Sequence, residues 1–353
     1  MLDYLIVGFG LAGVSFSEHL KNNNKSFVVI SEEHNSSSVV AGGMYNPVIL
    51  KRFTSPWNAL PQLNYCIPFY KEIEYRLCVK VLSPLPVLRV FNSIEEQNNW
   101  LIASDKASLS PFLSSKFQEN SNNHIKAPHD FGVVQNAGRL NVSKLLSVYR
   151  NDLKRTNSYL NSSFNYDNLS CNDDYYAYNG ILAKNIIFCE GFGLKSNPYF
   201  NYLPLNGTKG EVLIIQSEAL RLESIVKSGI FIIPLENKHT YLIGATYHWN
   251  DKTWLTTEEA KEELKNKLES VIMCDYEIVG QLAGIRPTVK DRRPLVGEHP
   301  VFKNMFVLNG LGTRGVMVAP TVSKQLFDSI ENDSTLDKEI DITRFKHMYA
   351  DAH

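Results

Sequence analysis

The chain has 353 residues, 44% of them apolar and 21% charged, the composition of a folded protein of about two domains; disordered, collagen-like and coiled-coil classes are excluded. Thirty-six Lys and Arg against 37 Asp and Glu give a formal charge of −1, so the chain lacks the global positive field of a dedicated nucleic-acid binder, and only a local basic patch could serve that role.

Leu2 to Val7 is a short apolar run that ends in Gly8-Phe-Gly10-Leu-Ala-Gly13, after which Val14, Phe16 and Leu20 fall on a broad helical face. A second apolar strand, Phe27 to Ile30, follows. Residues 2 to 30 therefore have the β-turn-α-β layout of a parallel sheet with a crossover helix, a Rossmann opening. Gly180 to Cys189 and Asn304 to Asn309 read as further buried strands of the same sheet. Val87 to Val90, Glu211 to Ile215, Ile230 to Ile233 and Tyr241 to Ala245, separated by turns, predict a second, more antiparallel sheet. Thr256 and Glu259 have capping-box spacing, with Leu264, Leu268, Val271 and Ile272 as the buried stripe of the helix they open. Ser114 to Asn123 and Asn161 to Asp174 read as surface loops. The fold class is α/β: a Rossmann-type dinucleotide-binding domain interleaved with a mainly antiparallel-sheet α+β second domain.

No basic leader or cleavage site precedes Tyr4-Leu-Ile-Val7, and no apolar stretch approaches the roughly 18 residues of a membrane span, so the chain reads as cytoplasmic with no membrane partner. The five cysteines, Cys66, Cys78, Cys171, Cys189 and Cys274, include no C-x-x-C pair, which argues against a disulfide framework or a zinc site; no metal is expected.

In Gly8-x-Gly10-x-x-Gly13 the first glycine allows the tight turn, the second lets a pyrophosphate approach the backbone, and the third lets helix and strand pack closely. The phosphates then sit on the helix N-terminus, with Leu11 and Ala12 in its first turn. The acid that commonly accepts from the ribose falls at Ser31 on an ungapped count; Glu32 serves if the strand runs one residue longer, and otherwise Ser31 makes the contact.

Four segments together carry a resemblance: Gly8 to Gly13; Ala41-Gly-Gly-Met-Tyr-Asn-Pro47; Ala283-Gly-Ile-Arg-Pro287 with Asp291-x-x-Pro294-Leu-Val-Gly297; and Asn309-Gly-Leu-Gly-Thr-Arg-Gly315 with Ala319-Pro320. In order and spacing the chain resembles the D-amino-acid oxidase family of FAD-dependent oxidoreductases. Within it the chain is similar to the glycine oxidases and to the oxidase half of the bifunctional tRNA wobble-uridine modification enzymes. The resemblance implies an FAD-binding domain of residues 1–75, 138–205 and 284–345, and a substrate domain of 76–137 and 206–283. It places Gly42 and Gly43 along the flavin ring, and Gly310, Gly312, Thr313, Gly315 and Val316 near the flavin's pyrimidine end. Gly191 is implied as a further cofactor contact.

By the same resemblance Arg286 is the carboxylate-binding arginine, a guanidinium being the natural fork for a carboxylate, and Arg314 also lies by the substrate. Read without the resemblance, either could be one half of a structural salt bridge. Phe231 stands where the glycine oxidases carry a substrate-facing tyrosine; Tyr247 is the expected replacement from the neighbouring strand, and Tyr45 from the flavin side. No cysteine lies near the Arg286 or Arg314 segments, so the FAD is expected to be non-covalent.

The implied reaction is oxidation of the C–N bond of a small amine or amino-acid substrate bearing a carboxylate, by hydride transfer to the flavin and hydrolysis of the imine. Two alternatives stand beside it: an oxidase acting on a carboxymethylaminomethyl group of tRNA, for which the Lys290, Arg292, Arg293 cluster is the local argument, and a flavin-binding protein without catalysis, which Phe231 favours.

Overall fold

A computed structural model describes residues 1–33 and 36–352. The Leu2–Val7 strand is buried from Tyr4 onward, as expected of a strand covered on both faces. It pairs in parallel with Phe27–Ile30 on one side and Ile181–Phe188 on the other. The parallel ladder continues to Met305–Asn309 and to Tyr159–Leu160. Leu295–Glu298 closes one edge antiparallel, while Tyr176–Tyr178 and Leu169–Cys171 fold back on Ile181–Phe188 to complete an eight-stranded sheet. The stretch 161–174, expected as surface loop, thus contains a strand. Its one fully buried residue is Leu169; Phe164 and Tyr166 pack only partly, and scattered among polar residues these three set no strand period.

The Leu11–Asn22 helix buries Val14, Phe16 and Leu20 completely, each worth about 1.5–3 kcal/mol against exposure. It packs on Gly315–Glu331, which also packs on Ala59–Leu77. Arg76 ties three helices together: it donates to Glu18 on Leu11–Asn22 and to Asp152 on Val142–Arg155. Glu18 also accepts from Tyr149 at 2.8 Å.

The second sheet has seven strands in the order Glu277–Arg286, Thr208–Gln216, Thr240–Gly244, Phe231–Pro234, Ile225–Lys227, Val87–Val90 and Phe131–Val134. All neighbours are antiparallel except Ile225–Lys227 with Val87–Val90. Residues 208–244 therefore stand apart from the parallel sheet. The Glu277–Arg286 ladder runs to its last residue against Thr208, so the boundary expected at 284 falls inside a strand: Gly284, Ile285 and Arg286 belong to the second sheet. The helix on its far face is Glu258–Glu269, which buries Ala260, Leu264 and Leu268; Val271 and Ile272 are buried just beyond its end. Its cap is Thr257, not Thr256: the Thr257 hydroxyl accepts from Ala260 N–H at 3.2 Å, and Glu259 makes no reciprocal bond. A small sheet of Met44–Tyr45, Gly138–Leu140 and Leu82–Pro84 completes the fold.

Candidate active site

The C-terminal ends of the parallel strands open into a cavity of about 940 Å³, at the upper end of the roughly 300–1,000 Å³ usual for ligand sites. At one end Gly8 has φ +101°, and a Cβ there would press on the Cys189 carbonyl. Gly13 packs against the Gly8 carbonyl, which no larger residue permits. Gly8, Gly10, Leu11 and Ala12 line the cavity, and the Leu11–Asn22 helix starts there without a side-chain cap on Gly10. The Ser38 hydroxyl accepts from Leu11 N–H at 3.3 Å, and the rest of the helix's positive end faces the cavity beside the bare backbone of Gly8 and Gly10, a cradle that fits a pyrophosphate.

Next to it the Phe27–Ile30 strand stops at Ile30, so Ser31 is the first residue beyond and Glu32 the second; both line the cavity. Glu32 is engaged by the Ser163 hydroxyl at 2.6 Å. Arg150, a residue the sequence gave no reason to single out, also lines this end, its guanidinium over the rings of Phe9 and Tyr159 at 5.3 and 5.8 Å and its Nε buried without a partner. Cys189 lines the same end, and burial pushes its thiol far above the usual range.

A second helix, Gly315–Glu331, also begins at the cavity wall, with Arg314 at its N-cap position and no side-chain cap. Gly191 and Gly312 have φ +58° and +59°, and a Cβ on either would meet no atom within 4 Å. The left-handed backbone, not packing, asks for glycine there. Gly43, at φ +71°, abuts the Leu140 carbonyl of the small sheet, while Gly42 packs directly against the side chain of Ile233, where a Cβ would lie 2.9 Å from it.

At the other end lies Arg286. Its guanidinium lies directly over Gly210, where any side chain would collide with it. Nη1 donates to the carbonyls of Lys209 at 3.4 Å and Thr246 at 3.3 Å, and the Tyr247 ring stacks on the guanidinium carbon at 4.4 Å. Among the described residues no carboxylate comes within 4 Å of Arg286, and burial lowers its pKa. Arg314 is alike: its contact is the Trp57 carbonyl at 3.4 Å, and burial, with Arg293 nearby, pulls it down to about 10. Among the described residues neither arginine is half of a salt bridge. Two cations without an acidic partner among the described residues thus line one cavity, an arrangement that could receive an anion.

The seat of Arg286 is braced from behind. Lys209, fully buried, bonds Asp251 and Thr253 and lies 3.4 Å from Glu211. Glu211 accepts from Thr257 N–H, Thr257 Oγ1 and Gln281 Nε2, each at 2.9 Å. This network pins the segment after Gly244 to the Thr208–Gln216 strand, and that segment carries Thr246 and Tyr247.

Residues 3–329 match the DAO family, FAD dependent oxidoreductase. The chain belongs to this family. The tRNA 5-methylaminomethyl-2-thiouridine biosynthesis bifunctional protein MnmC of Nitrosospira multiformis is 30% identical over 153 residues, 39% of this chain and 24% of that protein. Glycine oxidase of Pseudomonas aeruginosa is 28% identical over 129 residues, 36% of this chain and 35% of that enzyme. The chain thus spans about a quarter to a third of the length of these curated relatives. The crystal structure of glycine oxidase from Geobacillus kaustophilus superposes with a TM-score of 0.77, covering 98% of this chain and 97% of that one at 18% identity, a likeness of fold.

The DAO family is one of FAD-dependent oxidoreductases, and the cavity gathers most of the residues the sequence singled out: Gly8, Gly10, Leu11, Ala12, Ser31, Glu32, Gly42, Gly43, Gly191, Tyr247, Arg286, Gly312, Thr313, Arg314, Gly315 and Val316. Gly13 and Gly310 do not line it. Gly13 serves the helix–strand contact, and Gly310, at φ +71°, packs on Val289 and Leu295. Tyr45 is also absent from the wall: it is 2% exposed and lies beneath Gly138, so it offers no hydroxyl there. Phe231 lines the wall and Tyr247 is exposed beside Arg286. Among the described residues no helix is long and apolar enough to cross a membrane, and no cluster of three metal-ligating side chains occurs.

Proposed function

We propose that the chain oxidises the C–N bond of a small amino acid or secondary amine bearing a carboxylate, with FAD held non-covalently. The observation that carries this reading is Arg286: a half-buried guanidinium seated over Gly210, stacked on Tyr247 and without an acidic partner among the described residues. An unpaired cation in such a place is stabilised by the ligand it awaits. In this reading residues 1–75, 138–205 and the chain from 287 to 345 hold FAD, and 76–137 with 206–286 hold the substrate. Gly8, Gly10, Leu11 and Ala12 cradle the pyrophosphate, and Ser31, first beyond the strand, makes the ribose contact with Glu32 behind it. Gly42, Gly43, Gly191, Gly312, Thr313, Gly315 and Val316 border the rest of the cofactor.

Bound there, FAD supplies the acceptor for a hydride from the carbon next to the amine. Arg286 takes the substrate carboxylate in its fork and so fixes which C–H faces the cofactor. Tyr247 holds the guanidinium plane, an interaction worth about 0.5–2 kcal/mol. Arg314 adds a second cation. Phe231, Val212 and Ile233 give the site an apolar wall that excludes water and favours the neutral amine. Water then hydrolyses the imine.

The second reading, oxidation of a carboxymethylamino group carried by tRNA, draws support from the match to the bifunctional protein. Its basic patch is weaker than the sequence suggested. Arg293 is paired with Glu339, and Asp291 is paired with Arg344, leaving Lys290 and Arg292 exposed. An anaerobic screen of amino acids, secondary amines and tRNA bearing that group, read as loss of flavin absorbance, separates the readings. Bleaching by free carboxylated amines supports the first; bleaching by the tRNA alone supports the second, and none by any of them leaves the non-catalytic flavoprotein.

A further inference from the structure

We infer that the same cavity contains a second anion subsite at Lys227, so that the substrate is an amine with two carboxylates, one on Arg286 and the other on Lys227. The inference rests on the reading of Arg286 given above and names the substrate more narrowly.

Lys227 pairs directly with Phe231, and Phe231 with Gly244. Directly opposed residues project to the same face of a sheet, so Lys227 shares the face on which Phe231 meets the cavity, and both line it. Its Nζ has one acceptor, the Gly229 carbonyl at 3.5 Å, and no carboxylate within 4 Å among the described residues. The neighbouring cations each have an acid of their own, Arg89 with Glu96 and Lys267 with Glu263. Glu263 is the acid lining this end of the cavity, and Lys267 engages it. Of these three cations, Lys227 is the one without an acid within 4 Å among the described residues. Burial, then Arg89 and Lys267, holds its ammonium at about 8, below the usual lysine range, which an incoming carboxylate would reverse. A lysine kept for solubility would stand in water, and one kept for structure would have an acid.

The seats of the two cations lie at the same end of the second sheet. Arg286 donates to the carbonyl of Thr246, two residues beyond Gly244, and the Lys227 ammonium reaches Gly229, two residues before Phe231. With strands about 4.8 Å apart, guanidinium and ammonium are on the order of 10 Å from each other. After allowance for a carboxylate against each, a short chain of atoms joins the two, with the amine between them and the apolar Phe231 beneath.

The test uses the FAD-loaded protein and non-reacting ligands. Unbranched dicarboxylates of four to eight carbons and monocarboxylates of the same lengths are titrated at pH 7, read by calorimetry and by perturbation of the flavin spectrum. In the wild type the best dicarboxylate is expected to bind about tenfold or more tighter than its monocarboxylate. Lys227→Met should abolish that advantage with monocarboxylate binding and FAD content unchanged, and Lys227→Arg should keep it. Dicarboxylates that bind no tighter in the wild type, or an advantage that survives Lys227→Met, overturn the subsite while leaving Arg286 in place. Monocarboxylates that do not bind, or that bind Arg286→Ala as well as wild type, overturn the Arg286 reading and the subsite with it.

Discussion

The two ends of the cavity both depend on glycine, but they are assembled differently. At the nucleotide end Gly8, Gly10 and Gly13 lie within six residues, on one turn between one strand and one helix. At the substrate end the seat of Arg286 is made by Gly210, Lys209 and Thr246, which meet only because Thr208–Gln216 pairs with Glu277–Arg286 on one side and Thr240–Gly244 on the other. A local motif can fix a backbone shape; a cation seat across three strands needs the whole register. The first end should therefore fail as a unit when one residue changes, and the second should fail in function with the cofactor still bound.

Gly10→Val is the harshest probe of that contrast. It places a branched side chain where the pyrophosphate approaches and against Ser38, and loss of FAD from the purified protein is the expected outcome. Undiminished flavin absorbance in that variant would break the comparison at its first end. Gly210→Ala comes next. Its methyl group displaces the guanidinium by about an ångström, which should lower kcat/KM on carboxylated amines by about 100-fold with FAD content intact. A Gly210→Ala protein that loses its flavin would show that the two ends are not separable.

A smaller effect is expected beside Gly8, where Glu190 accepts from Tyr166 and from Asn197 at 2.7 Å, with no cationic partner among the described residues. Burial raises its carboxyl to about 7. Because the folded value is raised above the unfolded one of about 4.5, the fold favours the protonated form; that contribution is complete below about pH 4.5 and is lost as pH rises through 7. The FAD-free protein should therefore lose Tm between pH 5 and 8, and Glu190→Gln should flatten the slope. An unchanged slope in that variant would remove Glu190 from the account.

The same contrast explains what could be read from the sequence. The parallel sheet was legible because strands buried on both faces are continuous apolar runs, and the glycine fingerprint because its parts are adjacent. Arg286 stood out only through the resemblance of Ala283-Gly-Ile-Arg-Pro287 to the family; its spacing alone left a structural salt bridge open. Its seat did not: Gly210 in Thr208-Lys-Gly-Glu-Val is a lone glycine in a strand, and such a glycine marks a close approach without saying of what. The buried pair of Lys209 and Glu211 left no trace, since charged residues in a strand normally face water and these turn inward only because they satisfy each other, with the half-exposed Asp251 as a further partner of Lys209. Tyr45 was misjudged for a related reason. The turn it follows points its ring beneath Gly138, a contact 93 positions along the chain.

The central claim is that Arg286 holds a substrate carboxylate and does not hold the fold together. It is tested most directly by comparing the wild type with Arg286→Ala on a matched pair of secondary amines, one with the carboxylate and one without, under anaerobic conditions with flavin reduction as the signal. The account predicts that the wild type prefers the carboxylated amine and that Arg286→Ala loses on the order of 30- to 5000-fold in kcat/KM for it, from a charge-assisted contact of about 2–5 kcal/mol, with unchanged FAD content and Tm. Equal reduction by both amines in the wild type, or an Arg286→Ala protein that unfolds or sheds its flavin, would contradict it.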